Sequence, residues 1–176
     1  MKTRELNRNQ NCKTAAFIFA LIACFTCSVA WAENAIEGYE LSFVSSQAHG
    51  DLIDNGRYRL AIHLLDSNTS EPLAAATNLC VAHTLIGSFR DARRHCNRAV
   101  ELSEEAAKAA PENEREENYK NWVVALSNRG VLRAIRDQEG AEEDFRQATE
   151  LRVYSDTAAR NLARFSGTEH PEIAAH

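Results

Sequence analysis

Cys80, His83, His95 and Cys96 are the residues whose side chains could do chemistry together. Thiolate and imidazole are the donors of a zinc site. The spacing works against one, because His95 and Cys96 are adjacent and neighbouring side chains on a helix diverge by about 100°. All four therefore cannot converge, although Cys80, His83 and Cys96 alone could face one another. The second chemistry is covalent: two cysteines in an oxidising compartment can form a disulfide if their Cα atoms come within about 4.4–6.8 Å. Two buried free thiols filling small core sites is the competing reading. Elsewhere, His49-Gly50-Asp51 has no serine partner, and His170 and His176 lie in a polar tail without a scaffold. Beyond residue 32 the chain has no nucleophile elbow, phosphate loop, zinc-protease motif or Cys-x-x-Cys. The expectation is a non-enzymatic chain with no metal, no cofactor and no small-molecule substrate.

The elements that must position these residues are helices. Segment 73–86 places Leu73, Ala76, Leu79, Cys80 and His83 on one stripe, and Gly87-Ser88 breaks it. Segment 89–109 resumes with Phe89, Ala92, Cys96, Ala99, Val100 and Leu102. So short a turn makes the two helices antiparallel. Cys80 stands seven residues before Gly87 and Cys96 nine after it, at nearly equal height. Pro72 and Pro111 sit where helices should start. Helix B of this pair should run to about Ala110, and a long helix should follow Pro111 to about Arg136. Its early Glu112, Glu114, Glu116 and Glu117 complement the helix dipole. Trp122 should pack in the core where this helix meets the next repeat. Ser155-Asp156 can cap a last helix, 157–165.

The pattern repeats. Residues 56–65 align with 87–96, each with a glycine, an aromatic two residues on and an alanine three later, and the two glycines are 31 residues apart. A third copy spans 126–151, where Ala141, Phe145, Ala148 and Leu151 match Ala92, Cys96, Ala99 and Leu102. This resembles the tetratricopeptide repeat, two antiparallel helices in about 34 residues. The resemblance covers about 43–165. It implies close helix approach at small residues: Cys80, Ala92 and Ala99 in the second repeat, Gly130, Ala141 and Ala148 in the third. It departs in three places. The first helix, 43–54, has few large apolar residues. The turn at 136–140 is one residue short and lacks the turn glycine at its usual place, and roughly 16 extra residues separate the second and third repeats. The expected fold is all-α: an α-solenoid of about three antiparallel pairs with a C-terminal capping helix.

The resemblance also implies a groove for a protein or peptide partner. Its positions here are Thr77, Asn78, Val81, Thr84 and Leu85 in the second repeat, and Ser127, Asn128, Val131, Ala134 and Ile135 in the third. In the family an asparagine at the place of Asn78 and Asn128 can hydrogen-bond a bound peptide's backbone. The Lys or Arg that would grip a C-terminal carboxylate is absent from these positions. The other occupants are the chain's own termini or a second copy in a homodimer.

The start of the chain reads separately. Lys2, Arg4, Arg8 and Lys13 precede an apolar run, Ala15–Ala30, and Ala30-Trp31-Ala32 is a small-x-small cleavage pattern. The run, about 16 residues, is short for a span of about 20. Residues 1–32 are thus expected to be a signal peptide, cleaved after Ala32, with the protein in the periplasm. Leu21-Ile22-Ala23-Cys24 is the alternative, a lipobox anchoring the chain at Cys24. Losing Lys2, Arg4, Arg8, Lys13 and Glu5 takes 20 basic and 25 acidic residues to 16 and 24, a net charge of −8. That argues against a nucleic-acid partner. Residues 33–42 are expected to be loose and 166–176 disordered. The functional expectation is an adaptor in the cell envelope. The alternatives are an auxiliary subunit with its groove permanently occupied, and a small metal protein or hydrolase.

Overall fold

A computed structural model describes residue 36 and residues 38–67, 71–151, 153 and 155–168. The expected signal peptide, its cleavage site, Cys24, residues 33–35 and the tail beyond residue 168 lie outside these. The described residues are all-helical, with no strand. Seven helices follow in order: α1 Gly50–Asp54, α2 Tyr58–Ser67, α3 Pro72–Leu85, α4 Phe89–Ala109, α5 Glu112–Ala134, α6 Ala141–Glu150 and α7 Asp156–Phe165. None of them is long and apolar enough to cross a membrane. Each packs against the next, and α1, α3, α5 and α7 also touch one another in sequence, α1 to α3, α3 to α5 and α5 to α7. The odd-numbered helices thus form one layer.

The same closing turn ends every helix of that layer. After α3, Gly87 takes a left-handed φ of +73°, Gly87 N donates to Thr84 O (3.1 Å) and Ser88 N to His83 O (2.9 Å). This double closure satisfies carbonyls that a helix end leaves open. It recurs at Gly56 after α1 and Gly167 after α7. After α5, where the sequence lacks the glycine, Asp137 takes the left-handed φ of +47° instead, and Gln138 N reaches Arg133 O at 2.9 Å. Asp is among the few non-glycine residues that tolerate this region, so the turn survives the substitution.

Small residues set the packing. Cys80, Ala92 and Cys96 cluster with Leu132, while Ala99 joins Ala76, Val100, Trp122 and Leu126 one turn further down the α3–α4 pair. Gly130 of α5 faces Phe145 of α6 so closely that a β-carbon there would lie 2.6 Å from the ring. Helix α3 is buried from Ala74 to Thr84 without a solvent face, which explains its lack of a polar stripe. The extra residues between repeats lengthen α4 to 21 residues and α5 to 23, with Pro111 between them. Trp122 is buried in this extension beside Tyr119, with Lys108 Nζ 5.8 Å above its ring. The last helix starts as read: Ser155 caps α7 by accepting from Ala158 N. The first repeat differs from the reading, since its helix α1 has only five residues and begins at Gly50, after turns at 45–49.

Candidate functional site

The layer of odd-numbered helices carries one buried asparagine on each of its three longer members: Asn78 on α3, Asn128 on α5 and Asn161 on α7. A side-chain amide has one acceptor end and one donor end, so it can pair with both backbone groups of a single residue. All three do so, and on the same stretch of chain. Asn161 Oδ1 accepts from Glu40 N (2.8 Å) and its Nδ2 donates to Glu40 O (2.8 Å). Asn128 Oδ1 accepts from Ser42 N (2.9 Å) and its Nδ2 donates to Ser42 O (2.7 Å). Asn78 Oδ1 accepts from Val44 N (2.8 Å), and its Nδ2 lies 3.1 Å from Val44 O, 3.1 Å from Gln47 O and 3.0 Å from Ala48 O. Residues 39–44 are therefore an extended strap laid over the layer, running from α7 to α3 against the order of the helices.

The alternation of an extended chain does the rest. Residues 40, 42 and 44 meet the asparagines, so residues 39, 41 and 43 can direct their side chains elsewhere. Tyr39 stacks on Phe145, ring centres 6.1 Å apart, in a cluster with Val131 and Leu162. Leu41 packs in that cluster and in the next one, where Phe43 joins Val81, Ile53 and Leu85. The Glu40 carboxylate receives two hydrogen bonds from Arg160, Nε to Oε1 at 2.7 Å and Nη2 to Oε2 at 2.8 Å, and a longer one from Thr157 at 3.3 Å. The Arg160 hydrogen bonds hold its carboxyl below the ordinary range; burial opposes them, and the guanidinium charge adds to the lowering.

Residues 39–42, expected to be loose, are instead fixed by these bonds. The reason is that the asparagine amides recognise backbone, which any sequence supplies, while Tyr39, Leu41 and Phe43 give the segment a buried side. The sequence-derived groove residues do share one region. Thr77, Asn78, Val81, Thr84, Ser127, Asn128 and Val131 are buried, and Leu85, Ala134 and Ile135 are half-buried. The strap bonds to Asn78 and Asn128 and shares apolar clusters with Val81, Leu85, Val131, Ala134 and Ile135, so a segment near the chain's own amino end occupies this region, one of the occupants expected beside a separate partner. Thr77 and Thr84 turn their hydroxyls back to carbonyls of their own helix, while Ser127 Oγ accepts from Asn161 Nδ2 at 2.9 Å.

Asn161 escaped the reading, although a signal for it exists. Ala75-x-x-Asn78 and Ala125-x-x-Asn128 are repeated as Ala158-x-x-Asn161, and all three alanines are buried. A buried ionic cluster also escaped it. Asp144 of α6 accepts from Arg129 through both oxygens (3.0 and 2.7 Å) and from Arg133 (2.7 Å).

Cys80 and Cys96 are joined as a disulfide, Cα atoms 4.7 Å apart. Their sulfurs are thus not thiolate donors in this structure. His83 and His95 stack face to face at 5.3 Å with planes 2° apart, an arrangement in which their ring nitrogens do not converge on one point. Among the described residues no three metal-binding side chains gather.

No family model, no curated protein and no solved structure matches this chain.

Proposed function

We propose that this chain is a non-enzymatic interaction module of the tetratricopeptide type. In this reading it is an α-solenoid that grips an extended polypeptide along its odd-numbered helices, works in the periplasm after export and links to another envelope protein. The observation that carries it is the ladder of Asn78, Asn128 and Asn161, each paired with both backbone groups of one residue of an extended segment. Such a ladder is blind to side chains and suited to polypeptide, not to a small substrate. The repeated closing turn at Gly56, Gly87, Asp137 and Gly167 supports the solenoid part of the reading.

The strap favours one second reading, an auxiliary subunit whose groove is permanently filled and whose outer helices do the docking. A single experiment separates the two. The tagged chain is recovered from envelope extract beside a Val81→Glu, Ile135→Glu variant that remains helical by circular dichroism. The adaptor reading expects the variant to lose the partner. An unchanged set of captured proteins would move the contact to the outer helices and defeat the adaptor reading.

A further inference from the structure

The strap does more than fill a groove; it is a template for what else the groove accepts. Its polar bonds come from asparagines that any extended backbone can satisfy. Its selectivity lies in three apolar side chains at alternate positions, Tyr39, Leu41 and Phe43, and in one carboxylate between the first two, held by Arg160. It is also laid on from outside. Glu40 is exposed and residues 41–44 are only half-buried, so the strap can be lifted without opening a helix pair. Beyond Val44 it joins the helices through the turn at 45–49.

We propose that the groove is a receptor for one extended segment of another protein with this same chemistry, apolar residues at every second position and an acidic residue between the first two. Residues 39–44 are its resident competitor. This rests on the adaptor reading and gives that reading its ligand class and its regulation. A tethered competitor acts at high effective concentration, so the outside segment binds in proportion to the small fraction of chains whose strap is lifted. A strap docked 90–99 % of the time lowers apparent affinity by about ten- to a hundredfold.

The test uses the chain as purified after export and a fluorescein-labelled peptide with the sequence of residues 38–45, read by fluorescence anisotropy. Leu41→Asp weakens the strap without touching the ladder, and Glu40→Arg does so more mildly by facing Arg160 with a like charge. Apparent affinity for the peptide should rise about tenfold or more in Leu41→Asp. Adding Asn128→Ala to that variant should remove the gain, and a peptide with its Leu and Ser exchanged should not bind. A peptide carrying Arg in place of Glu should bind poorly to Glu40→Arg, which keeps Arg160, and well to Arg160→Glu alone, where the strap's Glu40 faces a like charge and the peptide's Arg an opposite one. If Leu41→Asp loses helicity, the single Glu40→Arg and Arg160→Glu variants, each with the two peptides, still decide the matter. Three results would overturn the proposal: a folded, strap-weakened chain that binds the peptide no better than the original, binding indifferent to Asn128→Ala, or straps exchanged between two copies as a concentration-dependent dimer. Failure here with partner capture still sensitive to Val81→Glu would remove this ligand class and leave the adaptor reading standing. Loss of both would remove the adaptor reading itself.

Discussion

Gly130→Ala sets two opposed effects of known size against each other. Alanine in place of glycine inside a helix gains about 1 kcal/mol of propensity. In α5 that gain meets an obstacle. The new β-carbon would lie 2.6 Å from Phe145 Cε1, 2.7 Å from Cδ1 and 3.1 Å from Cζ, where carbon atoms prefer about 3.5–4.0 Å. The ring must retreat by about 1 Å, and it has little room to do so. Phe145 is fully buried, with Tyr39 stacked on it at 6.1 Å and Phe165 tilted against it at 5.7 Å. Overpacking of this kind costs about 1–3 kcal/mol, and here it should lie in the upper half of that range, about 2–3 kcal/mol, because the two aromatic neighbours must move as well. The net expectation is a loss of about 1–2 kcal/mol. Urea unfolding followed by circular dichroism, with an unchanged slope, measures it. Phe145→Leu, destabilising alone, should offset part of the loss when combined with Gly130→Ala, giving a coupling of about 1 kcal/mol. A Gly130→Ala chain as stable as the original, or additive single changes, would refute the claim that α5 and α6 touch at this notch.

The Cys80–Cys96 bridge closes a short loop of sequence separation 16. Replacing both cysteines by alanine should cost about 3 kcal/mol, seen as a lowered melting temperature that reductant reproduces in the original chain; labelling of either thiol before reduction would contradict the bridge. Because the Glu40 carboxyl is held below its ordinary range, its ion pair with Arg160 contributes above the unfolded value and is lost as pH falls through the folded one. The Glu40 amide resonance and the Asn161 side-chain amide should therefore shift together below about pH 4.3, and Glu40→Gln should abolish that shift in an NMR titration. Asp144→Ala leaves two half-buried guanidinium groups facing each other and should cost about 3 kcal/mol in urea unfolding. Asp144→Asn, which keeps an acceptor, should cost less.

What the sequence shows and what it hides have physical reasons. The helix pairs were legible because small residues at Ala92, Ala99, Ala141 and Ala148 recur at fixed spacing and glycines mark the turns. Even the turn without glycine follows the same path, since Asp137 can take the left-handed conformation. The strap was misread because a six-residue segment has no helical period, and polarity at Glu40 and Ser42 resembles a loop. Its period is two: Tyr39, Leu41 and Phe43 alternate with the residues the asparagines hold. Asn161 was hidden by the reading of α7 as a mere cap, which gives its inner face no task beyond covering apolar surface. Asp144 sat among Glu142 and Glu143 as one more acid of a helix start, and only the fold reveals that two arginines from α5 converge on it.

The direction of the strap has a consequence for how the protein comes to be assembled. Its first anchor, Glu40, is held by Asn161 and Arg160, some 120 residues later in the chain. A polypeptide emerging amino end first, whether from a ribosome or through a translocation channel, presents this segment early and its berth last. The earliest part must wait, unpaired and apolar on alternate residues, until the final helix arrives to receive it. Maturation of this fold is therefore completed at its beginning, and any chain truncated before α7 leaves that waiting segment exposed to whatever else can pair with it.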